Sequence, residues 1–257
     1  MSKGFVTGFL AGLSLLGIIG VGASLTKQKD LEQQKYQAEI VDATSAQVGV
    51  MTEKQRFHSR LHNGLGASEG GKTISQLIQT YKGQKVVLGR YLNGRMWLPS
   101  DKPEAPEDYF GSFAQESDAI IRGKAVNKAS QITEDDSFLF TDYEIVVAEV
   151  FKNSTRPLLN AGTTITVTSP GGKIVLDDVV VKAGGNGEAA FPVNAQEVLL
   201  FLKYIPETEG FRLTRYNGGF ELNGKFVRPL AGIFPITPSF FANQHSFLKT
   251  IRAISNN

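Results

Sequence analysis

Residues 66–73 match the phosphate-binding loop of P-loop ATPases letter for letter. They read GASEGGKT and fit G-x-x-x-x-G-K-[ST], in which backbone N–H groups and the lysine hold nucleotide phosphates. A working loop follows a buried strand and opens a helix. Residues 73–81 suit the helix, but the polar sequence RFHSRLHNGL precedes the loop, so no such strand is predicted. We interpret the match as a glycine-rich turn before a helix capped near Thr73 or Ser75, with ATP binding as the alternative.

Two histidines stand four residues apart in the sequence HSRLH. On a helix His58 and His62 would share one face and could clamp a metal ion. Zinc peptidases with this spacing place a glutamate beside the first histidine, where this chain has Ser59. The third histidine, His245, lies far along the chain, and there is no cysteine. We therefore predict no metal site and no cofactor, and interpret the pair as part of a solvated polar face.

Carboxylates cluster at two places in the C-terminal half. The run Glu134–Asp136 lacks the flanking ligands of a calcium loop, so a solvated turn is predicted. Asp142 and Glu144 share one face of a predicted strand, and Glu149 falls on the other face unless a bulge intervenes. No histidine lies between residues 117 and 232, so a nucleophile in this region would lack its usual base. No catalytic residue is predicted, and an envelope enzyme of unrecognised chemistry is the alternative function.

The N-terminus contains an apolar run that is long enough to cross a bilayer. Residues 4–26 carry no charge, and about 20 residues of helix span the hydrocarbon core. We predict a transmembrane anchor over residues 1–27; the alternative is a signal peptide cleaved near Ala23, which would leave a secreted or periplasmic chain. Small residues recur at four-residue spacing, at Gly4, Gly8 and Gly12. This spacing lets two membrane helices approach closely, so self-association is a further hypothesis.

The rest of the chain divides into segments of different composition. They are a helical stalk (28–63), a small helix plus β-hairpin (64–98), a Pro-rich extended linker (99–116), a β domain (117–232) and a tail with a short helix (233–257). A T-x-x-Q capping box at Thr52 predicts a second helix within the stalk. Asn93-Gly94 predicts the hairpin turn, Trp97 is predicted to fill a core or an interface, and Gln244–Ile254 predicts the C-terminal helix.

The β domain consists of short runs rich in β-branched and aromatic residues, separated by turn-forming clusters. Strands at this spacing indicate a mainly β fold, either a closed barrel or a sandwich. In one long run the alternation of apolar and polar residues slips near Ala148, which predicts a β-bulge. Asn217-Gly218 and Asn223-Gly224 predict two further hairpins near the end of the domain.

Four of these runs resemble a known pattern. They read SDAIIRGKAVNKA, FTDYEIVVAEVFKN, TTITVTSPGG and EVLLFLKYIPETEGFRL. The pattern is similar to uncharacterised exported bacterial proteins and to the netrin-like module of tissue inhibitors of metalloproteinases. The resemblance covers residues 117–228 and implies a five-stranded OB-type barrel. The inhibitors use an N-terminal cysteine and disulfides, so their inhibitory mechanism is not implied for this cysteine-free chain.

The bulk composition narrows the function further. The 257 residues carry a net charge of only +2 and no densely basic tract, which argues against nucleic acid as a partner. Signal-like N-termini favour export, so we predict a bacterial envelope protein with its bulk outside the cytoplasm, which binds or scaffolds a protein partner. OB-type barrels present one strand face to ligands. Phe138, Phe140 and Tyr143 are therefore candidate ligand contacts, with burial in the core as the alternative.

Overall fold

Strands dominate the architecture. A computed structural model describes residues 50–67, 71–82, 84–90, 105–156, 158–183, 191–230 and 236–255. The helices are α1 (Glu53–Leu61), α2 (Ile74–Thr80), α3 (Pro106–Glu116) and α4 (Gln244–Ser255), with a 3-10 helix at Pro238–Ala242. The strands are β1 (Gly66–Ala67), β2 (Lys85–Arg90), β3 (Ala119–Ile132), β4 (Leu139–Asn153), β5 (Thr164–Pro170), β6 (Gly172–Leu176), β7 (Val179–Ala183), β8 (Glu197–Ile205), β9 (Gly210–Leu213), β10 (Gly219–Leu222) and β11 (Val227–Pro229). The prediction of a mainly β fold is confirmed.

The strands form two sheets. One has four strands in the order β1-β2-β7-β6, and the other has seven in the order β11-β10-β8-β3-β4-β5-β9. Strand β8 also pairs with β9, so the pairings β3–β4, β4–β5, β5–β9, β9–β8 and β8–β3 form a closed cycle, called the strand ring below. The β5–β9 pairing is parallel and the other four are antiparallel.

Strand β8 is buried on both of its faces, which explains its uninterrupted apolar sequence VLLFL. One face, with Leu200, belongs to an inner core, and the other, with Phe201, belongs to an outer core under α3 and α4. The inner core includes Ile121, Tyr143, Ile145, Val167, Phe191, Val198, Leu200, Leu202 and Phe211. The outer core includes Phe110, Phe113, Ile120, Leu199, Phe201, Phe220, Phe247, Leu248 and Ile251. Both cores therefore depend on β8.

The predicted β-bulge is present in β4. Arg122 pairs with Glu149 and Gly123 pairs with Val147, so Ala148 has no opposite residue in the ladder. Strand β4 approaches β3 closely here: a Cβ built on Gly123 would lie 2.6 Å from the carbonyl oxygen of Val146. The slip of the sequence pattern near Ala148 thus marks a real change of register, and Gly123 makes the close approach sterically possible.

The prediction of an extended linker over residues 99–116 is wrong for its second half. Residues Pro106–Glu116 form α3, with Pro106 in the first turn, where its missing N–H removes no helical hydrogen bond. Phe110 and Phe113 of this helix are fully buried against the sheet. The third proline of the segment is therefore not a spacer residue, because it begins a helix that covers the outer core.

Three further sequence predictions have definite outcomes. The C-terminal helix is confirmed as α4, whose Phe247, Leu248 and Ile251 are buried in the outer core. The hairpin at Asn223-Gly224 is confirmed, because β10 and β11 pair across it. The hairpin at Asn217-Gly218 is wrong, because β9 and β10 pair with successive stretches of β8 instead of with each other.

The small sheet carries a third core beneath α2. This core consists of apolar side chains from α2, from the small sheet and from the chain around the start of β4. They are Ile74, Leu77, Ile78, Val86, Phe138, Leu139, Ile174, Val179, Val181 and Ala183. All of the described residues belong to one compact unit.

Several predictions fall outside the described residues. They concern the anchor (1–27) with Gly4, Gly8 and Gly12, the stalk up to residue 49, the hairpin turn Asn93-Gly94, Trp97 and the linker residues 99–104. Within the described ranges, no helix is long and apolar enough to span a bilayer.

Candidate functional site

Helix α1 brings buried polar side chains onto the strand ring. The predicted capping box is confirmed: Thr52 Oγ1 accepts the N–H of Gln55, and Gln55 Oε1 accepts the N–H of Thr52. His58 is 2% exposed and His62 is 5% exposed. The interpretation of the two histidines as a solvated face is therefore wrong. The buried side of this helix is polar, so it must be matched by hydrogen-bonding partners.

His58 lies between a carboxylate and a hydroxyl. Its Nδ1 is 2.9 Å from Asp142 Oδ1, and its Nε2 is 2.8 Å from Thr208 Oγ1. Asp142 is 9% exposed and Thr208 is 4% exposed, so all three side chains are largely buried. Thr208 Oγ1 also accepts the backbone N–H of Gly210 at 3.3 Å. With one acceptor position used in this way, the Thr208 hydroxyl can donate to Nε2 while Nδ1–H donates to Asp142. We call Asp142, His58 and Thr208 the hydrogen-bonded triad.

Three separate segments supply the triad. His58 comes from α1, Asp142 from β4, and Thr208 from the turn between β8 and β9. The chain approaches α1 closely at Gly210, the first residue of β9, where an added Cβ would lie 3.2 Å from His58 Nε2 and 3.0 Å from Thr208 Oγ1. Glycine at this position leaves the imidazole and the hydroxyl the space that they occupy.

A small groove opens beside the triad. This groove B has a volume of about 190 Å³. It is lined by all three triad residues together with Lys54, Asn127, Lys128 and Glu144. The two lysines and the asparagine carry N–H donors, and they line the groove together with the Glu144 carboxylate. The prediction that Asp142 and Glu144 share a strand face agrees with their common position in groove B.

A second and larger groove lies next to His62. This groove A has a volume of about 370 Å³ and is lined by Leu61, His62, Pro170, Arg212, Arg215 and Tyr216, among others. His62 Nε2 is 3.2 Å from Thr168 Oγ1, and its ring stacks on Phe140 with 5.9 Å between centroids. Leu61 is 41% exposed and Tyr216 is 46% exposed. Apolar and aromatic side chains therefore reach solvent at this groove.

Arginines line the wall of groove A, and one of them forms an ion pair with a carboxylate outside the groove. Two arginines line it, and no carboxylate is among its lining residues in the described part of the chain. Arg215 donates two hydrogen bonds to Glu116, which lower the pKa of that carboxyl, and its guanidinium lies 4.6 Å from the ring centroid of Phe113. Arg215 is thus held in place by its neighbours, as a preorganised binding group would be.

The three predicted ligand contacts lie in the interior. Phe138 and Phe140 are 0% exposed, and Tyr143 is 5% exposed. Phe138 belongs to the third core and Tyr143 to the inner core, where burial raises the pKa of its hydroxyl to about 12. A ligand could touch these rings only by displacing the residues above them, so neither groove uses them directly.

The acidic run Glu134–Asp136 lies in a turn with Glu134 and Asp135 exposed, so the prediction of a solvated turn is confirmed. Asp135 accepts hydrogen bonds from the Gly64 N–H at 2.7 Å and from Ser137. Burial alone would raise the pKa of Asp135, but these hydrogen bonds and one from Thr133 outweigh it, so its pKa lies below the ordinary value. The run therefore fastens the loop before β4 to the segment that follows α1. In the described part of the chain, no three His, Asp or Glu side chains are grouped to hold a metal ion.

The residues around the P-loop match have other partners than a phosphate. Gly66 lies in β1, which pairs antiparallel with β2 and is only two residues long. Thr73 caps α2 through a capping box with Gln76, which confirms the predicted cap near Thr73 or Ser75. The Asp136 carboxylate accepts the Ser75 N–H at the helix start, where a P-loop would place a phosphate. A carboxylate at this point repels a nucleotide, which argues against the ATP-binding alternative.

The sequence contains no local signal for the triad. His58 is 84 residues from Asp142 and 150 residues from Thr208. The β domain itself contains no histidine, as the sequence shows, but α1 places His58 against it from outside the domain. No protein-family model and no curated protein matches this chain.

Proposed function

We propose that this chain is a membrane-anchored protein of the bacterial envelope that binds a protein partner outside the cytoplasm. The support for the anchor is the uncharged run of residues 4–26. The single observation that supports binding is groove A. It combines exposed apolar and aromatic side chains with two arginines on a rigid scaffold of paired strands.

The proposal includes an OB-type barrel. Its support is the strand ring: five strands in a closed cycle of pairings, with one parallel pair between β5 and β9. OB-type barrels are five-stranded and bind ligands on a strand face and the adjoining loops. Groove A adjoins the same parallel pair, since Thr168 of β5 and Arg212 of β9 are register partners and both line it. The resemblance to netrin-like modules belongs to the same proposal.

The chemistry of groove A defines the partner. Its volume of about 370 Å³ lies within the range of about 300–1,000 Å³ that is typical of ligand sites. Arginine and tyrosine are among the side chains that carry most binding energy at protein interfaces. The occupant that fits these groups is a short segment with a carboxylate for Arg212 and an apolar side chain for Leu61 and Tyr216.

Photo-crosslinking in native membranes tests this proposal. A photo-reactive phenylalanine analogue replaces Tyr216 in one variant of the full-length protein and Leu158 in a matched control, because Leu158 is 68% exposed and lies outside groove A. We expect one discrete crosslinked species from position 216, absent from position 158 and abolished by Arg212→Glu. Equal crosslinking from both positions, or none from position 216 in folded protein, would count against groove A.

Self-association through the anchor is a separate part of the proposal. Its support is the spacing of Gly4, Gly8 and Gly12. Replacing Gly8 with leucine should abolish lysine crosslinking between two copies in a bilayer and leave the partner crosslink at position 216 intact. A dimer signal unaffected by Gly8→Leu would refute the glycine-mediated contact.

A further inference from the structure

We propose that groove B is a hydrolytic site in which Thr208 is the nucleophile, His58 the general base and Asp142 the residue that orients the base. This activity goes beyond partner binding and uses different residues. Nucleophilic catalysis by a hydroxyl requires a base within hydrogen-bond reach, and the base must be oriented by a third group. The 2.8 Å and 2.9 Å separations at the two ring nitrogens of His58 meet both requirements.

Each ring nitrogen of His58 contacts the group that catalysis by a hydroxyl nucleophile requires. The hydroxyl contacts Nε2 and the carboxylate contacts Nδ1, which is the arrangement of serine hydrolase triads. The Gly210 N–H donates to Thr208 Oγ1 and so directs the hydroxyl proton towards the imidazole. Asp142 fixes the tautomer with Nδ1 protonated, which leaves the Nε2 lone pair to accept that proton.

Groove B decides which substrates fit. Its volume of about 190 Å³ is below the range for drug-sized ligands, so the acyl group must be small. Lys54, Lys128 and Asn127 line the groove and carry N–H donors that can hold the oxyanion of a tetrahedral intermediate or an anionic group on the substrate. We therefore assign small acyl esters as the substrate class.

The reaction balances with water as the second reactant. Thr208 Oγ1 forms a bond to the ester carbonyl carbon as its proton passes to His58 Nε2, and the carbonyl electron pair moves onto oxygen. The tetrahedral intermediate collapses, the C–O bond to the alcohol breaks, and the alcohol leaves with the proton from Nε2. Water then attacks the acylated Thr208, gives a proton to Nε2, and releases the carboxylic acid as Thr208 Oγ1 regains that proton.

The competing account is that the triad only holds α1 against the strand ring. Both accounts require the two hydrogen bonds, so loss of folding in a variant cannot separate them. A purely structural threonine, however, would never become acylated. Covalent modification of the wild-type protein therefore distinguishes the two accounts without any substitution.

The test uses full-length protein purified in detergent and p-nitrophenyl acetate as the probe. Release of p-nitrophenol is followed by absorbance, and the acetylated residue is located by peptide mass spectrometry after acid quenching. Thr208→Val removes the hydroxyl at similar volume, and Thr208→Ser keeps it. Ser59→Ala is the matched control, because Ser59 is buried in α1 and loses one hydrogen bond to the Glu134 N–H without touching the triad.

We expect acetylation at Thr208 in the wild-type protein, acetylation of the replacement hydroxyl in Thr208→Ser, and a rate at least about 100-fold lower in Thr208→Val. Ser59→Ala should retain the wild-type rate. Absence of acetylated Thr208 in the wild-type protein, or an unchanged rate in folded Thr208→Val, would overturn the proposal and leave the triad with its structural role.

Discussion

Replacing His58 with leucine should release helix α1 from the strand ring. The substitution removes both hydrogen bonds of an imidazole that is 2% exposed and leaves Asp142, which is 9% exposed, without its partner. Loss of a hydrogen bond to a buried charged group costs about 1.5–3 kcal/mol, and loss of one to a hydroxyl costs about 1 kcal/mol. The free energy of opening α1 should therefore fall by about 3 kcal/mol, which corresponds to a factor of about 100 in the opening equilibrium.

Hydrogen exchange read by mass spectrometry measures this opening directly. We expect amides of Glu53–Leu61 to exchange about 100-fold faster in His58→Leu, whereas amides of Gln244–Ser255 keep their rates because α4 packs on the outer core. Exchange in α4 thus shows, in the same sample, whether the rest of the protein remains folded.

A double-mutant cycle isolates the interaction between His58 and Asp142 from the other effects of each substitution. His58→Leu combined with Asp142→Leu leaves no unpaired charge, so the double variant should exchange more slowly than the sum of the single effects predicts, by about 1.5–3 kcal/mol. Additive effects, or exchange in α1 that is unchanged by His58→Leu, would refute the reasoning that this histidine holds α1 in place.

Three further predictions concern the scaffold. Gly123→Ala should destabilise the fold by about 1–3 kcal/mol in urea unfolding, because the new methyl would lie 2.6 Å from the Val146 oxygen; unchanged stability would contradict the close approach. Burial raises the pKa of Tyr143 to about 12, compared with 10.0 for an unperturbed tyrosine. The contribution of this group to stability is therefore fully present below pH 10.0 and is lost as pH rises through 12. Tyr143→Phe should remove that alkaline loss, as followed by circular dichroism, and a variant with the same alkaline transition would disprove it. The pKa of Asp135 is lower in the folded protein than the ordinary value of 3.8, so the carboxylate stabilises the fold above pH 3.8 and this contribution is lost as pH falls through the folded pKa. The difference in stability between wild type and Asp135→Asn should therefore disappear in acid. A difference that stays constant with pH in urea unfolding would contradict this.

Local sequence patterns predict the local structure well. The capping box at Thr52, the helix cap near Thr73, the bulge at Ala148 and the C-terminal helix each depend on residues a few positions apart, and each is present. The apolar run of β8 likewise indicates a strand, because burial on both faces removes the polar alternation.

The errors arise where distant segments decide the outcome. A proline-rich run indicates a spacer, but Pro106 occupies the first turn of a helix whose Phe110 and Phe113 pack into the outer core. Polar residues indicate a solvated surface, but His58 and His62 are buried and have hydrogen-bonding partners far away in sequence. Neither periodicity nor composition encodes which carboxylate meets which histidine, so the triad could not have been predicted.

The most direct test of the proposed function is cysteine accessibility in intact cells. The chain contains no cysteine, so a single substitution provides a unique label site. Tyr216→Cys reports on groove A, and Leu158→Cys reports on an exposed position outside it. A membrane-impermeant maleimide is applied to cells with a permeable outer layer.

We expect Leu158→Cys to be labelled in these cells and Tyr216→Cys to be protected by the bound partner, with Tyr216→Cys becoming reactive once the protein is purified. Labelling of both positions in cells would contradict occupancy of groove A. Labelling of neither until the inner membrane is broken would contradict a location outside the cytoplasm, and with it the central claim.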